Sequence, residues 1–172
     1  MKKIKWLFNK DTKCRYALGY LKKNPLICIG TNPSTATPAC LDHTVKRVSQ
    51  FANMYDYDSW IMINLYPQIS TNPKQVDLEM DVKLHERNIL EIKKMIQKCP
   101  KQFSVWAAWG NLITTRDYLK NCLIEIIHEI GEHENWFQAG NVTKCGHPRH
   151  PLYLPKSIKL QKFDVRDYLK HM

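Results

Sequence analysis

The chain has 172 residues, 44% of them apolar, enough to bury a core without disulfide or metal staples, so one domain over 1–172 is expected. No apolar run approaches the length of a membrane-spanning helix, and the start MKKIKWLFNK meets Asp11 without an apolar signal core, so a cytoplasmic protein with no membrane partner is expected. Lysine plus arginine outnumber aspartate plus glutamate by 26 to 16, and the net charge of +10 favours an anionic partner, DNA or a nucleotide.

Residues 4–9 and 14–21 read as two short strands around a turn, an edge hairpin whose Arg15 and Tyr16 either face a cleft or only cover the sheet. Leu26 to Ile29 is an unbroken apolar run ending at Gly30, followed by the polar loop TNPSTATPACL. Asp42 then stands where an N-cap belongs, ahead of Val45, Val48, Phe51, Ala52 and Tyr55 at helical spacing. Lys46 and Arg47 fall near that helix's N-terminus, where cations oppose the helix dipole. They are either solvated or placed to meet a phosphate.

WIMINL (60–65) and FSVWAAW (103–109) are two more continuous apolar runs, and continuity rather than alternation marks strands covered on both faces. Between them, residues 78–97 carry Val82, His85, Ile89, Ile92 and Ile96 at helical intervals, with His85 read as structural. Thr114 or Thr115 is the expected cap of the next helix, whose stripe runs from Tyr118 to Ile130 and which Gly131 ends. A fourth strand is expected at 136–139 and a last helix from about Asp164.

Repeated strand–helix units predict an α/β fold, a three-layer αβα sandwich with a mainly parallel central sheet of about four strands. In such sheets ligands lie beyond the carboxyl ends of the strands. Four loops should meet there: Thr31 to Asp42, Asn64 to Ser70, Gly110 to Thr115 and Thr143 to Pro155. They supply the candidate substrate-binding residues Thr31, Ser34, Thr35, Asp42, Asn64, Tyr66, Trp109, Asn111, Arg149 and Leu152. Asn32, His147 and His150 are the catalytic candidates, Asn32 by its place in the loop after the strand and the histidines because imidazole can serve as acid, base, metal ligand or hydrogen-bond donor. Lys46 and Arg47 are the phosphate candidates.

Other chemistries find less support. Cys145, His147 and His150 suit zinc by type, but their spacing matches no zinc pattern and no fourth ligand is evident, so no metal is expected. Phosphate-loop and dinucleotide fingerprints are absent and no cofactor is expected. No GxSxG elbow presents Ser34 as a nucleophile. The six cysteines form no CxxC pair and read as small core hydrophobes in a reducing compartment, with Cys145, beside Gly146 and His147, open as a reactive thiol.

RYALGYL, GTNPSTAT, DHTVKR, INLYP, AAWGN and GHPRHPLYLP, taken in order, resemble domain-of-unknown-function family 1643, a bacterial and phage family, over nearly the whole chain. That resemblance implies no activity. A more distant similarity is to the uracil-DNA glycosylase superfamily, which has a parallel four-stranded sheet between helices, a G-x-N-P-G or G-Q-D-P motif after its first strand, a strand ending in W-G, and a late H-P-S-P-L or N-P-S-G-L loop. Gly30-Thr31-Asn32-Pro33, Trp109-Gly110 and His147-Pro148 or His150-Pro151-Leu152 resemble these in the same order. Ser34 replaces the motif's glycine, and Arg149 and His150 interrupt the late motif.

The similarity implies a glycosylase-like hydrolase acting on or binding a nucleobase in nucleic acid. Asn32 would position the water, a late histidine would donate to the base carbonyl, and Leu152 would wedge into the base stack. Tyr66 and Trp109 would flank the base. The alternatives are a non-catalytic nucleic-acid or nucleotide-binding module and an enzyme on a small phosphorylated metabolite.

Overall fold

The computed structural model describes residues 4–131, 135–155 and 157–172. Lys2, Lys3 and Lys156, counted among the basic groups above, lie outside the described residues. Among the described residues seven strands form one sheet: β1 (Trp6–Lys10), β2 (Arg15–Tyr20), β3 (Pro25–Gly30), β4 (Ser59–Asn64), β5 (Ser104–Ala107), β6 (Trp136–Ala139) and β7 (Leu160–Lys162). Their order is β1-β2-β4-β3-β5-β6-β7. The central β4-β3-β5-β6 are mutually parallel, while β1, β2 and β7 pair antiparallel at the two edges.

The sheet is therefore mixed and larger than the expected four strands. The amino-terminal hairpin does more than cover the sheet, because β2 pairs directly with β4 through Leu18–Met62 and Tyr20–Trp60. β7 has only three residues and a polar composition, too little for a period to show.

The α-helices among the described residues are α1 (His43–Met54), α2 (Val82–Ile96), α3 (Tyr118–Ile130) and α4 (Val165–His171). From β3 the chain moves to β4 on one side, then returns across to β5 on the other. With right-handed crossovers that reversal puts α1 on one face and α2 and α3 on the opposite face. The core divides accordingly. Leu26, Cys28, Trp60, Met62 and Trp106 pack under Val45, Val48 and Phe51 of α1, with Phe51 stacked 4.7 Å from Trp106. Ile27, Ile29, Ile61, Ile63 and Val105 pack against Ile92, Met95, Leu123, Ile126 and Tyr168. Every residue of β3 and β4 is buried, the two-sided cover that an unbroken apolar run requires.

Helix starts follow local chemistry. Asp42, Asp81 and Asp164 cap α1, α2 and α4 through side-chain oxygens that accept backbone N–H groups. At α3 the expected threonine cap is not used. Gly110–Thr114 coils into a 3-10 turn, the Thr114 and Thr115 hydroxyls donate back to the Asn111 and Leu112 carbonyls, and Asp117 stands at the cap position without a capping bond. Gly131 ends α3 at φ +93°, as expected. His85 is buried with its Nε2 3.0 Å from a carboxylate oxygen of Glu125, joining α2 to α3 in a structural role.

Among the described residues no helix is long and apolar enough to cross a membrane. Cys14, Cys28 and Cys122 are buried, and burial pushes their thiols up, to about 11 for Cys14 and about 12 for Cys122, which suits packing rather than reactivity. Cys145 is exposed.

Candidate functional site

β3 occupies the point where strand order reverses, with β4 on one side and β5 on the other, so a crevice opens above its carboxyl end. The loop leaving β3 is fastened on both sides of this crevice. Leu65 and Tyr66 N–H groups donate to the Gly30 and Thr31 carbonyls, and Ser70 N–H to Pro33. On the other side, the Thr31 hydroxyl donates to the Trp109 carbonyl at 2.6 Å. The loop is thus held as a third-layer extension of the sheet, a conformation its polar sequence alone would not specify.

Above it lies a cleft of about 510 Å³. Its walls include Thr31, Asn32, Ser34 and Asp42 from the first loop, Ser70 and Thr71 from the second, Leu112 from the third, and His150 and Leu152 from the fourth. All four expected loops reach it.

Asn32 is half-buried, and its Nδ2 donates to the carbonyls of Ser70 at 3.0 Å and Pro33 at 3.2 Å. Both amide protons are engaged, so the atom left to the cleft is the acceptor Oδ1. His150 precedes a 3-10 turn (Pro151–Tyr153), and its Nδ1 accepts the Leu152 N–H at 3.3 Å. That bond puts the remaining ring proton on Nε2. The ring touches cleft solvent yet is surrounded by protein, and this burial pushes its pKa down to about 4, with nearby Asp42 pulling the other way. At neutral pH His150 is therefore an uncharged donor.

Asp42 is the sole carboxylate lining the cleft among the described residues, and its Oδ1 is engaged by the Val45 N–H at 2.8 Å.

Several expected site residues lie elsewhere. Thr35 faces a neighbouring cavity that shares Ser34 with the cleft. Asn111 and Arg149 line another cavity, of about 240 Å³, which shares Leu112 and His150 with the cleft. There Asn111 Oδ1 accepts from the Thr143 hydroxyl, and Arg149 Nε donates to Asn141. Asn64 is buried beside Gly30, its side-chain nitrogen and oxygen without hydrogen bonds among the described residues.

Tyr66 and Trp109, expected to flank a base, are both fully buried on the α2–α3 side of the sheet. Tyr66 packs 5.1 Å from Tyr118 and its hydroxyl bonds to Asp77 and to the Asp81 N–H, the α2 cap residue. Trp109 Nε1 donates to the Tyr168 hydroxyl at 3.0 Å, and the same hydroxyl lies 2.8 Å from His147 Nδ1. An indole N–H can only donate, so the hydroxyl proton is free to go to His147, which burial holds as neutral imidazole. His147 thus anchors the late loop to α4 and does not line the cleft.

Nor do the phosphate candidates meet there. Lys46 is exposed outside the cleft. Arg47 Nη2 donates to the Leu154 and Pro155 carbonyls at 3.1 and 2.6 Å, and the guanidinium lies 4.8 Å over Phe51. A proline-rich loop has few ladder partners for its carbonyls, and Arg47 supplies them.

Residues missed from sequence are His43, Thr44, Ser70, Thr71, Pro73 and Leu112. His43 and Thr44 were legible as the first helical residues after the cap, a place where side chains turn toward whatever the N-terminus faces. Among the described residues no group of three or more His, Cys, Asp or Glu side chains could hold a metal ion.

The family described as "Protein of unknown function (DUF1643)" matches residues 15–152. The chain belongs to this family. Every cleft-lining residue of this DUF1643 chain falls within the matched span, which runs from the first residue of β2 to Leu152. No curated protein and no solved structure matches the chain.

The Trp109-Gly110 pair has a local explanation. Gly110 sits at φ +64°, and a Cβ there would stand 3.1 Å from His150 Cβ. Gly110→Ala is expected to lower stability by about 1–2 kcal/mol through its left-handed backbone and to displace His150. Urea unfolding reads the first effect, and the His150 ring resonances read the second. Unchanged resonances would show that the close approach does not position the ring.

Proposed function

We propose that the cleft receives a nucleobase carried on a nucleic-acid strand or nucleotide, and that the reaction it suits best is hydrolysis of the N-glycosidic bond. The observation that carries this reading is that Asn32 and His150 line one cleft with complementary open groups, an acceptor oxygen and an N–H donor. Breaking the bond leaves positive charge on the sugar and negative charge on the departing base. Asn32 Oδ1 would accept a proton of a bound water and so aim its lone pair at the sugar carbon, while His150 Nε2–H would donate to the base as charge builds. A neutral imidazole serves as such a donor without giving up a proton.

The glycosylase resemblance supports the same roles, as does a parallel strand core between helix layers. Leu152, 37% exposed at the cleft, would serve as the apolar wedge. With Tyr66 and Trp109 buried, the base would lie against Leu112 and Pro73 rather than between aromatic rings.

One observation favours a second reading, binding without turnover: Asp42, the one carboxylate among the cleft's described lining residues, is tied through Oδ1 to the Val45 N–H as a helix cap. The test is incubation with single- and double-stranded DNA carrying uracil, mismatched or modified bases, scored for abasic sites by alkaline cleavage, with binding followed by fluorescence anisotropy across salt. Abasic sites support hydrolysis. Salt-dependent binding without cleavage assigns the module. Neither binding nor cleavage sinks both.

A further inference from the structure

Arg15, the first residue of β2, is 2% exposed. Its Nη1 donates to the carbonyls of Ala36 at 3.0 Å and Ser34 at 3.3 Å, fixing the first loop from below. Nε and Nη2 hydrogen-bond to nothing among the described residues, and no carboxylate stands within ion-pairing distance there. Asp42 is near enough to be felt, but it caps α1. Burial pulls the guanidinium pKa down to about 10 in spite of Asp42, so the fold carries the cation without a contact counter-charge.

That cation borders a cavity of about 230 Å³ whose other polar lining is Lys10, Thr12, Ser34, Thr35 and Thr37. The wall therefore offers two cations and four hydroxyl donors, with no acidic side chain among the described lining residues. Ser34 belongs to both this cavity and the 510 Å³ cleft, so a ligand spanning the two would pass over Ser34. A guanidinium with two unused N–H edges matches a tetrahedral oxyanion, which accepts forked hydrogen bonds.

We propose that this cavity is an oxyanion subsite that takes a phosphate of the ligand whose base lies in the cleft. The assignment of the neighbouring base rests on the glycosylase-like reading, but the phosphate site itself does not depend on turnover. It gives phosphate recognition to the β1–β2 hairpin rather than to Lys46 and Arg47. The phosphate belongs either to a strand backbone or to a free nucleotide, and the two differ in which probe gains affinity.

The test is calorimetric titration at low salt with inorganic phosphate, deoxyuridine, deoxyuridine monophosphate and a four-nucleotide uracil-containing single strand. The wild-type chain should bind phosphate, and the monophosphate at least about tenfold tighter than the nucleoside. In Arg15→Gln that phosphate advantage should disappear. Arg15 also holds the loop, so Lys10→Glu, at an exposed position on the same cavity, serves as the second variant and should weaken phosphate binding about fivefold or more. A strand that outbinds the monophosphate identifies the backbone as the source, and equal binding identifies the free nucleotide. No phosphate binding by the wild type, or equal binding by wild type and Lys10→Glu, overturns the subsite. Absence of abasic-site formation leaves these binding results standing and counts only against hydrolysis.

Discussion

Asn32→Ala should slow base release in single-turnover conditions by about 10²- to 10³-fold, the loss usual for one preorganised polar group at a reacting centre. On the proposed hydrolysis, binding of the uracil-containing strand should change little, because the side chain would act on the water rather than the base. The same substitution removes both donors from the Ser70 and Pro33 carbonyls, so a stability loss of about 1–2 kcal/mol should accompany it. Asn32→Asp separates these effects. A carboxylate is the better base but faces two carbonyl oxygens with no proton to give them, so it should lose stability at least as severely. If Asn32→Ala releases base at the wild-type rate while folded, the amide has no part in the reaction.

The pH dependence of stability should report His150. Above about pH 6.5 the ring is neutral in both folded and unfolded chains and contributes no difference. Between about 6.5 and about 4 the unfolded chain takes up a proton that the buried ring refuses, so stability falls as pH falls. The full loss is at most about 3 kcal/mol, and less because the ring reaches cleft water. His150→Asn keeps an acceptor for the Leu152 N–H but cannot titrate, so its urea midpoint should fall less over the same range. His147, whose pKa burial also lowers, contributes in the same direction in both proteins and cancels from the comparison. Parallel curves for the two proteins would place His150 at an ordinary pKa.

Much of the architecture could be read from the chain because strands buried on both faces must be continuously apolar. LICI and WIMIN leave little else to be. The edge strand β7 was invisible for the opposite reason, since a three-residue strand needs no pattern to be recruited by the exposed edge of β6. The convergence of four loops followed from topology, whereas the direction of individual side chains at the strand ends did not. Trp109 shows the distinction. Val105, Ala107 and Trp109 share one face by the two-residue period, the face covered by α2, α3 and α4, so parity pointed away from the cleft even as the strand end pointed toward it. The carbonyl partners of Arg47 were not legible, because a basic residue near a helix N-terminus suggests an anion, while the carbonyls it meets lie over a hundred positions further along the chain and leave no local trace. For Arg15 the sequence leaves two places open, facing a cleft or covering the sheet. Its missing counter-charge is a three-dimensional fact.

Arg47 also ties together stretches far apart in the chain. The carbonyls it grips belong to residues 107 and 108 positions later, so the fourth wall of the cleft is held by a long-range contact with α1. Contacts of that separation are slow to close and easily reopened. The fourth wall of the cleft, which carries His150, thus hangs from α1 across that separation, and a change at Arg47 would reach His150 without touching it.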